Sequence, residues 1–214
     1  MMKKKNYTHI FSFVLIILFS HNTKPIPTPD DILSNNFANK SLSNCNSASD
    51  EYTTSGYQPF TSPVTHKPLE FFYTITKSCA PQTSSTPLMF WTNGGPGASS
   101  ISSWFQGISK TLIKPDTTTL DNPHTWSRFS TIVTVDQPIG SGFSYLKEGD
   151  EYRDNYDQVS LEYCQFLMEF LSKKGYLSND NIPNKIIIVG ESLAGHFIPQ
   201  TTNCLVNHLK DYNI

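Results

Sequence analysis

Short apolar runs are spread along the middle and the end of the chain. Four of them, rich in aromatic and β-branched residues, predict strands. They are Leu69–Thr76, Pro87–Thr92, Thr131–Val135 and Lys185–Val189. The last two are almost continuously apolar, which is typical of parallel strands that are covered on both faces of a sheet.

Two helical patterns flank the last of these strands. Between Tyr156 and Lys174 apolar side chains recur at helical spacing, and Gly175 follows the last turn, where helices commonly end. A second helix is predicted to begin at Ser192 and to run to about Leu209. Because strands alternate with helices, the chain belongs to the α/β class.

The amino-terminal residues have the pattern of a targeting segment. Three lysines at positions 3–5 precede the apolar run Ile10–Phe19, and polar, proline-containing sequence follows. A basic stretch before a short apolar run is typical of a secretory signal peptide, and this run is too short for a membrane-spanning helix. We predict a signal peptide over residues 1–23, an N-terminal arm over 24–55 with one helical turn near 32–37, and a folded domain over 56–214.

Composition fits one packed domain. The chain has 214 residues, of which 37% are hydrophobic and only 16% are charged, whereas disordered chains are poor in apolar residues and strongly charged. The net charge of −2 offers no basic surface for nucleic acid. We therefore predict no nucleic-acid partner and, once the signal peptide is removed, no membrane association.

Entry into the secretory route makes the cysteines candidates for disulfides. They are Cys45, Cys79, Cys164 and Cys204. Sequence leaves all three possible pairings open. Because the spacing is wide and irregular and lacks a C-x-x-C pattern, a zinc site is not expected, and we predict neither a metal nor a cofactor.

A candidate nucleophile follows the last predicted strand. The sequence G-E-S-L-A over Gly190–Ala194 places a serine where a buried strand turns sharply into a helix. Small neighbours are needed there because the turn crowds the backbone while it exposes the hydroxyl of Ser192. The backbone N–H of Leu193 would face a developing oxyanion. Taken alone, the pentapeptide is also compatible with an ordinary strand-to-helix turn.

A glycine-rich loop follows the second predicted strand. The sequence W-T-N-G-G-P-G-A-S-S over Trp91–Ser100 lets the main chain approach a ligand closely. In α/β-hydrolases an early loop of this kind supplies the second oxyanion donor, which makes Gly95 the candidate here. Taken alone, such a run is also ordinary turn sequence.

A third motif, V-D-Q-P-I-G-S-G-F-S-Y over Val135–Tyr145, lies between the other two. With all three in order, the chain resembles the serine carboxypeptidase family, and the resemblance extends roughly from Gly56 to Leu209. It implies an α/β-hydrolase fold that is truncated after the helix of the nucleophile elbow.

The resemblance also implies a reaction and residue roles. Family members remove residues from the C-termini of peptides and proteins through an acyl-enzyme, outside the cell or in acidic lysosome-like or vacuolar compartments of the secretory pathway. Ser192 would be the acylated nucleophile, and the backbone N–H groups of Gly95 and Leu193 would form the oxyanion hole. The residues implied to bind substrate are Asn93, Gly94 and Glu191. Of these, Asn93 and Glu191 would hold the free carboxylate.

The chain departs from the family in its catalytic base. α/β-hydrolases carry the triad in the order Ser, Asp, His, and family members supply the last two from a second half. Here the only acid after Ser192 is Asp211, and the only histidines there are His196 and His208. We do not expect either histidine to be the base. The 214-residue fragment should therefore be nearly inert, and it should fold badly because half of the sheet is absent.

Two further departures lie inside the motifs. Ala98 stands where the family usually has a cysteine that is bridged to the later half. Gly107 stands where the family has a glutamate that shares a proton with the glutamate of the elbow, so carboxylate recognition is expected to differ. Two other classes stay open: a non-catalytic secreted remnant, and an esterase or acyltransferase on the same scaffold.

Overall fold

The computed structural model describes residues 14–20, 53–78, 86–177, 183 and 185–210. Most of the expected N-terminal arm, including the helical turn predicted near 32–37, lies outside these residues. Cys45 and Cys79 also lie outside them.

Among the described residues, eight strands form one large sheet and one small hairpin. The strands are β1 Val14–Ser20, β2 Thr53–Thr61, β3 Pro68–Thr76, β4 Leu88–Thr92, β5 Thr111–Ile113, β6 Thr119–Asp121, β7 Thr131–Val135 and β8 Lys185–Glu191. The large sheet has the order β1-β8-β4-β7-β3-β2, and β5 pairs with β6. The four strands that the sequence predicts are confirmed, and β8 runs two residues further than expected, to Glu191.

The centre of the large sheet is parallel. Strand β4 pairs with both neighbours in the same direction, with Phe90 opposite Ile188 of β8 and Val133 of β7. β2 and β3 continue the sheet as antiparallel strands. Since the carboxyl ends of parallel strands meet at one edge, the segments that follow β4, β7 and β8 come together there.

Six helical segments accompany the strands in the described part of the chain. They are α1 Ser100–Ser103, a wide helical turn Trp104–Ile108, a 3₁₀ turn Trp126–Arg128, α2 Tyr156–Lys173, a 3₁₀ turn Ser192–His196 and α3 Ile198–Leu209. Asn155 caps the start of α2, because its side chain accepts a hydrogen bond of 2.9 Å from the backbone N–H of Gln158. After α2, Gly175 adopts a positive φ of 76°, the left-handed conformation that commonly ends a helix.

The single helix predicted over Ser192–Leu209 is corrected by the structure. The segment is divided into a 3₁₀ turn and α3, and the boundary is Phe197, with φ −104° and ψ −20°. Pro199 lies in the first turn of α3, where the missing N–H of proline breaks no helical hydrogen bond. The proline therefore favours a new helix start at this position.

Apolar side chains fill both faces of the sheet. The larger core lies between the sheet and helices α2 and α3, and it includes Phe90, Phe166, Phe170, Ile188 and Leu205. The opposite face carries a smaller cluster made of Met89, Trp91, Ile108, Ile132, Ile187 and Val189. Covering on both faces explains why β4, β7 and β8 are almost continuously apolar.

Helices α2 and α3 are joined covalently. Cys164 and Cys204 form a disulfide across a sequence separation of 40 residues. Of the three pairings that sequence left open, the structure thus shows the one that joins these two cysteines. The elbow segment leads directly into α3, so the disulfide anchors this segment to the rest of the domain.

Strand β1 lies within the predicted signal peptide. It pairs antiparallel with the outer edge of β8, from Val14 opposite Glu191 to Ser20 opposite Lys185. The strand thereby covers an edge that the fold would otherwise leave unpaired. Removal of residues 1–23 from the mature protein stays a prediction. Within the described part of the chain, no helix has the length and apolarity needed to cross a bilayer.

Candidate active site

The segment after β8 forms a tight turn that carries Ser192. Ser192 is exposed and adopts a positive φ of 56°, which is rare for a side-chain-bearing residue. A Cβ at Gly190 would lie 2.6 Å from Cγ1 of Ile198 and 3.0 Å from the carbonyl carbon of Ala194. Only a glycine fits at position 190 without displacement, and this is the steric requirement expected of a nucleophile elbow.

The glycine-rich loop after β4 lies directly against the elbow. A Cβ at Gly94 would lie 2.5 Å from the backbone nitrogen of Leu193 and 2.8 Å from the carbonyl oxygen of Glu191. Gly95 follows with φ +115°, a conformation that side-chain-bearing residues rarely adopt. The two segments that carry the predicted oxyanion donors, Gly95 and Leu193, are therefore neighbours.

Asn93 is buried at the start of this loop. Its side-chain oxygen accepts a hydrogen bond of 2.7 Å from Nε1 of Trp91, and its amide nitrogen donates to Oγ of Ser102 at 3.3 Å. Ser102 in turn donates to the carbonyl oxygen of Ser99 at 2.6 Å. These contacts fix the orientation of the amide beside the loop.

Glu191 is half-buried and has a partner that sequence reasoning missed. Oγ of Ser103 donates to Oε2 of Glu191 at 2.8 Å, across 88 residues of sequence. The serine-rich run from Ser99 to Ser103 was the available signal, because short hydroxyl side chains at a helix start commonly serve as hydrogen-bond donors and caps.

Gly107 leaves the space beside it open. No atom lies within 4 Å of the position that a Cβ would take there. Its carbonyl oxygen accepts a hydrogen bond of 2.8 Å from Nδ2 of Asn122, so the backbone is held although the side chain is absent. A larger residue would fit at this position without a steric clash.

The two histidines that follow Ser192 have other neighbours. His196 is exposed and stacks on the ring of Tyr156, with a centroid distance of 5.6 Å. His208 lies beside the Cys164–Cys204 disulfide at the far end of α3. Among the described residues, no hydrogen bond joins the hydroxyl of Ser192 to a histidine.

One grouping of metal-capable side chains occurs in the described part of the chain. Ligand atoms of Cys164, Cys204 and His208 lie within 4.8 Å of one another. Because the two sulfurs are bonded to each other, they offer no thiolate to a metal. The grouping is therefore a disulfide with a neighbouring imidazole.

A pocket of about 220 Å³, lined by no charged residue, lies against Ile101 of α1. Its lining includes Phe72, Thr74, Ile101, Trp104 and Phe143. Ile101 and Trp104 belong to the same short stretch as Ser102 and Ser103, which contact Asn93 and Glu191. The pocket and the candidate site thus share one wall.

Comparison with known proteins gives consistent matches. The family described as "Serine carboxypeptidase" matches residues 45–214. A relative named pheromone-processing carboxypeptidase KEX1, from Phytophthora infestans, is 38% identical over 58% of this chain and 22% of its own length. Carboxypeptidase Y of Saccharomyces cerevisiae is 33% identical over 67% of this chain and 26% of its own length.

A solved structure supports the same relationship. The prohormone-processing carboxypeptidase KEX1 from Saccharomyces cerevisiae superimposes with a TM-score of 0.59 at 27% identity. The match covers 74% of this chain and 34% of the other. The chain therefore spans about a fifth to a third of the length of these proteins.

Proposed function

Because the chain belongs to the serine carboxypeptidase family, we propose that it supplies the nucleophile of a serine-type carboxypeptidase that shortens peptides from the C-terminus. The observation that carries the proposal is the contact between Gly94 and the backbone of Leu193, directly beside the exposed Ser192. A serine at positive φ next to two candidate N–H donors is the arrangement that acyl transfer requires.

In this proposal each residue has a defined role. The hydroxyl oxygen of Ser192 attacks the carbonyl carbon of the last peptide bond, and a general base passes its proton to the amine of the C-terminal residue, which leaves as the acyl-enzyme forms. Water then hydrolyses the ester and releases the shortened peptide. The backbone N–H groups of Gly95 and Leu193 bind the negatively charged oxygen of the tetrahedral intermediate. The terminal residue would be held by Asn93, Gly94 and Glu191.

The general base is proposed to come from residues outside these 214. His196 stacks on Tyr156 and His208 lies beside a disulfide, so neither is arranged to take the proton of Ser192. Loss of a triad member typically lowers the rate by about 10⁴- to 10⁶-fold. The fragment by itself is therefore proposed to be nearly inactive, and a segment that supplies Asp and His would restore activity.

The proposed substrates are the C-termini of peptides and proteins, and the proposed location is the secretory pathway, extracellular or lysosomal and vacuolar. The basic and apolar segments within residues 1–23 support this location. N-terminal sequencing of secreted or luminal protein tests it, since a mature chain that still begins at Met1 would contradict removal of the signal peptide.

An esterase or acyltransferase on the same scaffold is favoured by one observation. Gly107 supplies no carboxylate, and the hydrogen-bond partner of Glu191 is the neutral hydroxyl of Ser103. A site without a second acid is less suited to a free substrate carboxylate.

The third class, a non-catalytic remnant, would be the right description if no downstream segment supplies Asp and His.

Covalent labelling tests the proposed function. We expect an organophosphonate to label Ser192 in a protein extended through an in-frame segment that supplies Asp and His, and to label the 214-residue chain far more slowly because it lacks the base. Ser192→Ala in the extended protein is the control and should abolish labelling. Equal rates for the extended protein and the 214-residue chain would contradict the proposal that the base lies outside these 214 residues.

A further inference from the structure

Asp136 is a buried carboxylate to which the proposed reaction assigns no role. It follows β7 directly and is only 1% exposed. Two segments donate hydrogen bonds to it. Its Oδ1 accepts from the backbone N–H of Ser100 at 2.7 Å and from Oγ of Ser99 at 2.9 Å, while its Oδ2 accepts from the backbone N–H of Phe143 at 2.9 Å.

These donors come from two loops that meet at the edge of the sheet. Ser99 and Ser100 end the glycine-rich loop, and Phe143 belongs to the loop after β7. Hydrogen bonds to an ionised carboxylate are about twice as strong as those between neutral groups. One carboxylate thus ties the downstream end of the glycine-rich loop to the loop after β7.

The upstream end of the glycine-rich loop is tied to the same strand. Oγ of Ser100 donates to the carbonyl oxygen of Val135 at 2.6 Å and accepts from the backbone N–H of Asn93 at 3.0 Å. The carbonyl oxygen of Gly94 accepts from the N–H of Ala98 at 3.1 Å. Gly95 therefore lies between two points that are both anchored at the end of β7.

The packing around the carboxylate leaves little freedom. A Cβ at Gly142 would lie 2.2 Å from Oδ2 of Asp136 and 2.7 Å from Oγ of Ser99, and φ of Gly142 is +50°. Only glycine lets the loop after β7 pass close enough to present the N–H of Phe143. The sequence S-G-F in the third motif is thus explained by its contact with this carboxylate.

We propose that Asp136 is a positioning residue that fixes the N–H of Gly95 as an oxyanion donor. This inference rests on the proposed function of Ser192. A loop with glycines at positions 94, 95 and 97 has many accessible conformations when it is free. A donor contributes to an oxyanion hole only if it is held in place before the reaction. Asp136 supplies that constraint without contacting the substrate.

The first test measures amide hydrogen exchange in the extended protein and needs no catalysis. In Asp136→Ala we expect faster amide hydrogen exchange over residues 94–100 and at Phe143. In Asp136→Asn the carbonyl oxygen can still accept from Ser99 and Ser100, but the amide nitrogen cannot accept from Phe143. In Asp136→Asn, amide exchange over residues 94–100 should therefore stay slow, whereas the backbone N–H of Phe143 should exchange faster.

A matched control is available in the β5–β6 hairpin. Asp116 also accepts hydrogen bonds from a backbone N–H and a hydroxyl, both of Thr118, but it is exposed and lies in a separate turn. Asp116→Asn should leave exchange over residues 94–100 unchanged. If Asp136→Ala does not fold, Asp136→Asn still tests the proposal, because it replaces a single carboxylate oxygen by an amide nitrogen.

The second test measures the chemistry in the extended protein. We expect Asp136→Ala to lower kcat about 10²- to 10³-fold with little change in KM, since loss of one oxyanion donor has that effect, and Asp136→Asn to recover most of it. Faster exchange with unchanged kcat would show that Asp136 has a structural role only, and it would overturn the proposal. Unchanged exchange in both variants would overturn it too, because Asp136 would then not hold the loop. If the extended parent is not labelled at Ser192, the proposed function fails, while the exchange data still decide whether Asp136 holds the loop.

Discussion

The elbow at Ser192 and the loop at Gly95 lie against each other, but they are held in different ways. The elbow is shaped by contacts within a few residues, because Gly190 packs on Ala194 and Ile198. The loop is shaped by partners distant in sequence, above all Asp136, which is 36 residues from Ser100. The conformation of the elbow thus depends on contacts between near neighbours, whereas the conformation of the loop depends on the pairing of β4 with β7 in the sheet.

The difference explains why one half is easier to recognise than the other. Steric demands that act over five residues leave a short, readable pattern such as G-x-S-x-A. Hydrogen bonds between distant segments leave no pattern that reveals the partners: Ser99 and Asp136 lie inside recognised motifs, but the sequence does not show that they contact each other. Variants that disturb one half and spare the other can test this contrast.

The largest effect is expected from Gly94→Ala, which acts where the two halves touch. The added methyl group would lie 2.5 Å from the backbone nitrogen of Leu193, so backbone atoms must move and the two donors must separate. We expect kcat of the extended protein to fall about 10²- to 10³-fold, equivalent to roughly 2.7–4 kcal/mol. Steady-state kinetics measure the loss, and unchanged kcat would show that the contact does not govern the spacing of the donors.

A smaller effect, on stability, is expected from Gly190→Ala. The new Cβ would crowd Ile198 and Ala194, and overpacking of this kind costs about 1–3 kcal/mol of unfolding free energy. Gly195→Ala is the matched control, because nothing lies within 4 Å of its Cβ position. Urea unfolding of both variants compares the two positions, and equal midpoints would argue against local steric control of the elbow.

The smallest effect is expected from Gly107→Glu, which changes the choice of substrate. The family resemblance implies that a glutamate at position 107 would stand near Glu191, and two close carboxylates bind one proton between them more readily. A shared proton can be donated to a free substrate carboxylate. We expect the variant to shift preference toward free-acid peptides over matched amides by roughly tenfold at acidic pH, about 1.4 kcal/mol.

The measurement is kcat/KM for matched free-acid and amide peptides from acidic to neutral pH, in the extended parent and the variant. Since Ser103 already donates to Glu191, the parent is expected to favour amides or esters more than its relatives do. A parent that strongly favours free acids, together with no change in the variant, would show that position 107 does not control carboxylate recognition.

The class of fold, four central strands and α2 could be predicted from the sequence alone, and so could the position of Ser192 at a sharp turn after β8. These features follow from apolar periodicity and from steric rules that act between near neighbours, so Gly190, Ser192 and Ala194 could be recognised without a structure. Sequence placed one helix over Ser192–Leu209, whereas a new helix begins at Ile198, with Pro199 in its first turn. The periodicity of apolar residues does not detect such a break.

Only the tertiary structure decided what holds the second half of the site. The pairing of Cys164 with Cys204, the hydrogen bond from Ser103 to Glu191 and the burial of Asp136 all join segments that are far apart in the sequence. Such contacts depend on strand order and direction, which periodicity does not encode. Gly95 could be chosen from its motif, but its constraint by Asp136 emerges only because β4 and β7 are parallel neighbours.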